Sequence, residues 1–151
     1  MKIGIGSDHG GLALKDDIIE VLEAEGHEVV DYGAIEYDPD DDYPDFAALV
    51  ARGVASREVQ RGIMLCGSGV GAAIAANKIT GVRASVCHDT YTAAQGVEHD
   101  DMNVLCLGAR VIGPETARGA VVAFTRARLN DAPKYTRRLE KVLALEAESN
   151  K

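Results

Sequence analysis

The chain has 151 residues, 46% hydrophobic and 26% charged, with a formal net charge of −8; that length supports one domain with a real core, residues 1–151 as a single unit. The acidic balance argues against nucleic acid as a partner, and no run approaches the roughly 20 apolar residues of a membrane span. MKIGIGSD turns polar too early for a secretory signal, and three cysteines cannot all pair within the chain, so a reducing, cytoplasmic setting is expected.

Five short apolar runs are predicted strands: 2–7 (KIGIGS), 27–33 (HEVVDYG), 62–66 (GIMLC), 83–87 (RASVC) and 103–108 (NVLCLG). Most are rich in Val, Ile and Leu without alternation, the pattern of strands buried on both faces. Helical periodicity fills the gaps. Leu12, Leu14, Ile18, Ile19 and Leu22 share a face, with Gly26 as a stop. Phe46, Leu49, Val50 and Val54 mark a second helix, followed by 72–77, 90–98 and 115–128, and a charged amphipathic helix over 135–147 closes the chain. This alternation predicts a parallel sheet between helical layers. Ligands in such sheets bind where strands end and helices begin. Three stretches fall there: SDHGG after the first strand, CGSGVG after the third, and GAR after the fifth.

Cys66 closes the third strand and opens a loop with three glycines in five residues. Glycines allow close backbone approach, although such loops also serve plain strand–helix packing. A helix start offers free N–H groups and the positive end of a dipole. That field suits an oxyanion and is expected to lower the pKa of a neighbouring thiol, making Cys66 a base or nucleophile. The loop is not a P-loop, because Ala72 and Ala73 follow Gly71 where GK[ST] is needed. It is not the dinucleotide G-x-G-x-x-G, and Gly4-x-Gly6 has His9 in the third place. Ala72 also stands where a cysteine phosphatase carries its arginine. Cys87 and Cys106, inside apolar runs, read as small core hydrophobes.

Asp8 and His9 directly follow the first strand. Asp8 is either a cap for the next helix or a ligand contact; His9 is placed to bind phosphate or relay a proton. His99, His27 and His88 read by themselves as surface residues. DPDDDYPD (38–45) lacks the glycine and glutamate of a calcium loop and reads as a solvated turn and helix cap, with Tyr43 able to lean toward a ligand. Lys134, Arg137, Arg138 and Lys141 form a basic island, a solvated face or a phosphate clamp; Lys134 and Arg138, four apart, share a helix face. Arg110 lies at the ligand end of the fifth strand.

SDHGG, DYPDFA, CGSGVGAAIAANK, HDTYTA, EHDDMNVLCLGAR and the late basic residues, in this order, resemble ribose-5-phosphate isomerase type B and the related galactose-6-phosphate and allose-6-phosphate isomerases. The resemblance covers essentially the whole chain. It implies a three-layer α/β/α sandwich with a five-stranded parallel, Rossmann-like sheet in order 2-1-3-5-4 and a C-terminal helix. It implies a homodimer, possibly a tetramer, with active sites shared between subunits, a phosphosugar substrate, and neither metal nor organic cofactor. Cys66 would move a proton between C1 and C2 of ribose 5-phosphate and ribulose 5-phosphate. The amides of Gly67, Ser68, Gly69, Val70 and Gly71 would stabilise a cis-enediolate. Ser68 would assist ring opening, with His99 of the partner subunit as the acid. Asp8, His9 and Tyr43 would contact the sugar, and His9, Arg110, Lys134 and Arg138 the phosphate.

The chain departs from the family pattern at four positions. Ser68 stands where threonine is frequent, Asp100 where asparagine is common, Lys134 where arginine is usual and Tyr135 at a common histidine position. Lysine keeps the charge but loses the bidentate fork; an aspartate at 100 beside the sugar would favour hydroxyls over a second anion. The reaction type stands, while the sugar stays open among ribose 5-phosphate, allose or galactose 6-phosphate and a tetrulose phosphate. A non-catalytic phosphosugar-binding module is the second reading.

Overall fold

The apolar runs pair as five parallel strands in the order β2-β1-β3-β5-β4 in a computed structural model that describes residues 1–149. They are β1 (Lys2–Ser7), β2 (Glu28–Asp31), β3 (Arg61–Cys66), β4 (Ala84–Val86) and β5 (Val104–Gly108). Six helices accompany them among the described residues: α1 (Leu12–Ala24), α2 (Tyr43–Ala55), α3 (Val70–Ala76), α4 (Thr90–Asp100), α5 (Pro114–Arg126) and α6 (Pro133–Ser149). The expected order and layering hold.

The three central strands are buried almost throughout, because helices cover both faces. Alternation along β3 divides the core. Ile63 and Leu65 point with Ile3, Ile5, Leu105 and Leu107 to a layer holding Ile18, Leu22, Val97, Val121 and Phe124. Met64 and Cys66 point the other way with Cys106, toward Ala47, Val50, Ala72 and Ala76. Hence α1, α4 and α5 cover one face, and α2 and α3 the other. The expectation of strands buried on both faces fails for β2 and β4. Both are edges, shorter than the predicted runs, and no residue in either is fully buried.

Between β1 and β3 the chain leaves in opposite directions, toward α1 on one face and α3 on the other. This divergence opens the crevice where parallel sheets take ligands. The turns beyond the strands stay tied together: Asp8 N–H donates to the Leu65 carbonyl (3.2 Å), and Arg110 N–H to that of Gly67 (3.0 Å). Lys15, on α1, is 3% exposed. Its ammonium donates to Asp31 Oδ2 (2.8 Å) and to the Ala34 carbonyl, clamping α1 to the start of the loop between β2 and α2. Burying this charge is tolerable because it is paired. No helix among the described residues is long and apolar enough to cross a membrane.

Candidate active site

The SDHGG turn, the glycine loop and the turn after β5 meet around a cavity of about 330 Å3, lined by Asp8, His9, Tyr43, Cys66, Ser68 and Arg110, with Gly10, Gly67, Gly71 and Val111. This volume suits a small metabolite. Cys66 ends β3 opposite Gly108 of β5 and is 7% exposed. Gly69, in the left-handed region at φ 82°, turns the chain into α3. Tyr43 starts α2, and its phenol lies against Gly71, where a Cβ would meet its Cζ at 2.7 Å. The Arg110 side chain passes over Gly67. Sequence-predicted residues from four separate segments are thereby brought to one opening.

The thiol departs from expectation. Cys66 Sγ–H donates to Asp8 Oδ2 at 3.0 Å. Burial is the largest influence and raises the thiol above its ordinary pKa; the Asp8 carboxylate raises it further. Main-chain N–H groups of Gly69 and Gly67 act in the lowering direction but are outweighed. The predicted net lowering is therefore overturned. The amide field is present, yet desolvation and a neighbouring carboxylate both penalise a thiolate.

Asp8 is not the N-cap of α1, a position held by Gly11. It accepts the Gly11 N–H at 3.1 Å through Oδ1, which fixes the turn and leaves Oδ2 for the thiol. The acidic stretch before α2 also differs from a plain solvated turn and cap. Asp42 occupies the N-cap without a side-chain hydrogen bond. Asp41 accepts His9 Nδ1–H at 2.6 Å and the His9 main-chain N–H through both oxygens, at 3.1 and 3.0 Å. His9 is consequently held above its ordinary pKa, chiefly by this bond, against burial and Arg110. Sequence reasoning missed Asp41, since five aspartates in eight residues offer no local sign of which one turns inward. It also missed His88, whose Nε2 accepts the Gly108 N–H at 2.9 Å beside the end of β5.

His99, Asp100, Lys134 and Arg138 do not line this cavity. His99, near the end of α4, stacks on Tyr135 with ring centroids 4.2 Å apart and receives a 2.7 Å hydrogen bond from Gln95 Nε2 at Nδ1. Lys134 Nζ lies 4.6 Å and the Arg138 guanidinium 6.0 Å from the Tyr135 ring centroid. Lys134, Arg138 and His99 thus form one cluster around a tyrosine that is 8% exposed. Asp100 instead lines a larger cavity of about 540 Å3 between β4, α4 and α6. Neither Cys66 nor any residue of the glycine loop lines that cavity. Cys106 is fully buried, and Cys87 is 5% exposed. Among the described residues no three His, Cys, Asp or Glu side chains form a metal-ligating group.

Comparison with known proteins extends this picture. The model of the ribose/galactose isomerase family matches residues 3–142. The chain is 42% identical over 149 residues to ribose-5-phosphate isomerase B of Escherichia coli, covering 99% of each chain. It is also 42% identical over 127 residues to D-erythrulose-4-phosphate isomerase of Pectobacterium atrosepticum, 82% of each chain. Among solved structures, ribose-5-phosphate isomerase B of Mycoplasma genitalium with bound ribulose 5-phosphate is 41% identical and superposes with a TM-score of 0.92 over 97% of both chains.

Proposed function

The chain belongs to the ribose/galactose isomerase family, and from this we propose that it is an aldose–ketose isomerase of sugar phosphates that interconverts D-ribose 5-phosphate and D-ribulose 5-phosphate. The observation that carries the reading is a buried thiol at a cavity edged by the glycine loop and the Arg110 guanidinium. Enolisation beside a carbonyl needs one base and one preorganised anion site. Cys66 as thiolate takes the proton from C2 of the aldose, and the carbonyl electrons move onto O1. Loop amides from Gly67 to Gly71 hold the resulting cis-enediolate. A proton then passes from O2–H to O1, the electrons left on O2 form the C2 carbonyl, and the proton held by Cys66 is delivered to C1 to give the ketose. Asp8, already 3.0 Å from the sulfur, is the acceptor within reach of the thiol proton. Tyr43 and Ser68 meet the sugar, with Ser68 assisting ring opening; His9 and Arg110 meet the phosphate.

His99, Lys134 and Arg138 complete the site from a second copy, in a homodimer. Two observations support this. These residues gather around Tyr135, and none of them lines the cavity that holds their own chain's thiol. The surface near the cavity also exposes Val111 (57%), Val70 (53%), Ile74 (59%) and Tyr37 (67%), an apolar girdle of the kind that marks an interface.

The test is a kcat/KM panel over four-, five- and six-carbon sugar phosphates, with wild type and Cys66→Ala. Ribose 5-phosphate is expected to lead, and the variant to lose about 10²–10⁴-fold in kcat. A tetrulose phosphate in first place would transfer the assignment to the second sugar, the reaction named for the Pectobacterium relative. Binding with no exchange of the C2 proton into deuterated water would reduce the protein to a phosphosugar-binding module.

A further inference from the structure

Resting on the reading of His9 as a phosphate contact, we propose that Asp41 is the positioning residue of this site: its carboxylate commits His9 Nδ1–H to itself and leaves Nε2 for the anionic group of the ligand. One carboxylate makes three contacts to one residue, with the His9 main-chain N–H at 3.1 and 3.0 Å and Nδ1 at 2.6 Å. The Asp41 side chain is only 9% exposed, although its neighbours Asp38, Asp40, Asp42 and Asp45 all face solvent. A merely solvated turn has no use for one inward carboxylate. Tyr37 of the same loop closes on the ring edge-on, with centroids 6.1 Å apart and planes at 83°. Loop and histidine form one unit, anchored at the loop's start by Lys15 on Asp31 and Ala34.

The chemistry follows from the order of charges. A bare carboxylate near a phosphate dianion would repel it. An imidazole between the two, carrying a proton on each nitrogen, gives alternating signs: carboxylate, imidazolium, phosphate. The carboxylate also fixes the tautomer, as a carboxylate behind a metal-bound histidine does. The charged groups acting on the ring are Asp41 from the loop, Asp8 from its own turn and Arg110 from the turn after β5. Tyr43 and Cys66 line the same cavity. Both carboxylates favour the imidazolium, whereas Arg110 and burial oppose it. Phosphate arriving beside Arg110 cancels part of that opposition. Ligand binding is thus coupled to holding, or taking up, a proton at His9.

The experiment compares wild type with Asp41→Asn and Asp41→Ala in full-length protein. Ring nitrogens of ¹⁵N-histidine-labelled protein are titrated from about pH 5 to 9, with and without inorganic phosphate, His9 being assigned through His9→Gln. KM and kcat for ribose 5-phosphate are measured over the same range. In wild type, the neutral His9 ring is expected as the Nδ1–H tautomer, with its midpoint rising on phosphate addition. Asp41→Asn preserves the shape of the turn but removes the charge, so the midpoint falls. KM then rises on the order of tenfold, kcat stays within about threefold by the same reckoning, and the alkaline rise of KM begins at lower pH. Asp41→Ala exaggerates each change. An unmoved His9 midpoint and tautomer in Asp41→Asn, or a KM that keeps its wild-type pH profile, overturns the proposal. Absence of turnover with every sugar phosphate would remove the assigned reaction, while the nitrogen titration would still decide whether Asp41 governs His9.

Discussion

The Cys66 thiol and the Asp8 carboxylate sit 3.0 Å apart, both nearly excluded from solvent. Burial, and then the Asp8 carboxylate, hold the thiol above its ordinary pKa. A base of this kind gains activity as pH rises through its own titration, because only the thiolate accepts a proton. Asp8→Asn removes the negative neighbour and supplies an amide that can donate to sulfur. The thiol midpoint is then expected to fall. Iodoacetamide alkylation of Cys66 should begin at lower pH in the variant, even though a lost sugar contact lowers kcat/KM. An alkylation profile unchanged from wild type would mean that burial alone sets the thiol.

A site shared between copies is testable by complementation. Cys66→Ala and His99→Ala are each expected to be nearly inactive. Unfolded together and refolded as a mixture, half of the dimers pair the two variants. Each such dimer has one site with both lesions and one with neither, so activity returns to about a quarter of wild type, given two equivalent sites. No recovery, with mixed dimers verified by mass, would place both residues in the same chain's site.

Gly11 tests how tightly the turns meet. A Cβ there would lie 2.2 Å from the Leu65 carbonyl carbon and 2.3 Å from its oxygen, and backbone cannot yield as a flexible side chain does. Gly11→Ala is expected to lower stability by about 3 kcal/mol or more. Gly26 has φ 79° and open space around its Cβ position, so Gly26→Ala should cost only the left-handed backbone penalty of roughly 1–2 kcal/mol. Urea midpoints at unchanged m-value measure both. Equal losses would show that contact with β3 is not what requires glycine at position 11.

The order and type of elements were legible because each depends on local pattern. Unbroken apolar runs such as GIMLC and NVLCLG need cover on both faces, and Gly, Pro and polar clusters mark the exits. The motif set identified the family for the same reason: the reactive residues sit on short turns whose backbone demands glycine at fixed spacing. Edge strands were less legible, since HEVVDYG and RASVC read like central ones until their neighbours in the sheet are known.

The amino-acid order by itself determined a parallel α/β sheet, a thiol followed by a glycine loop, and the turns in which ligand contacts reside. Only the tertiary structure decided that Asp41, of five nearby aspartates, faces His9. It also decided that His99, Lys134 and Arg138 gather around Tyr135, and that the thiol's pKa goes up rather than down. These outcomes depend on distances between segments remote in the chain and on how much water is removed around them. Charge interactions and desolvation change steeply over a few ångströms, a scale that residue spacing along the chain does not encode.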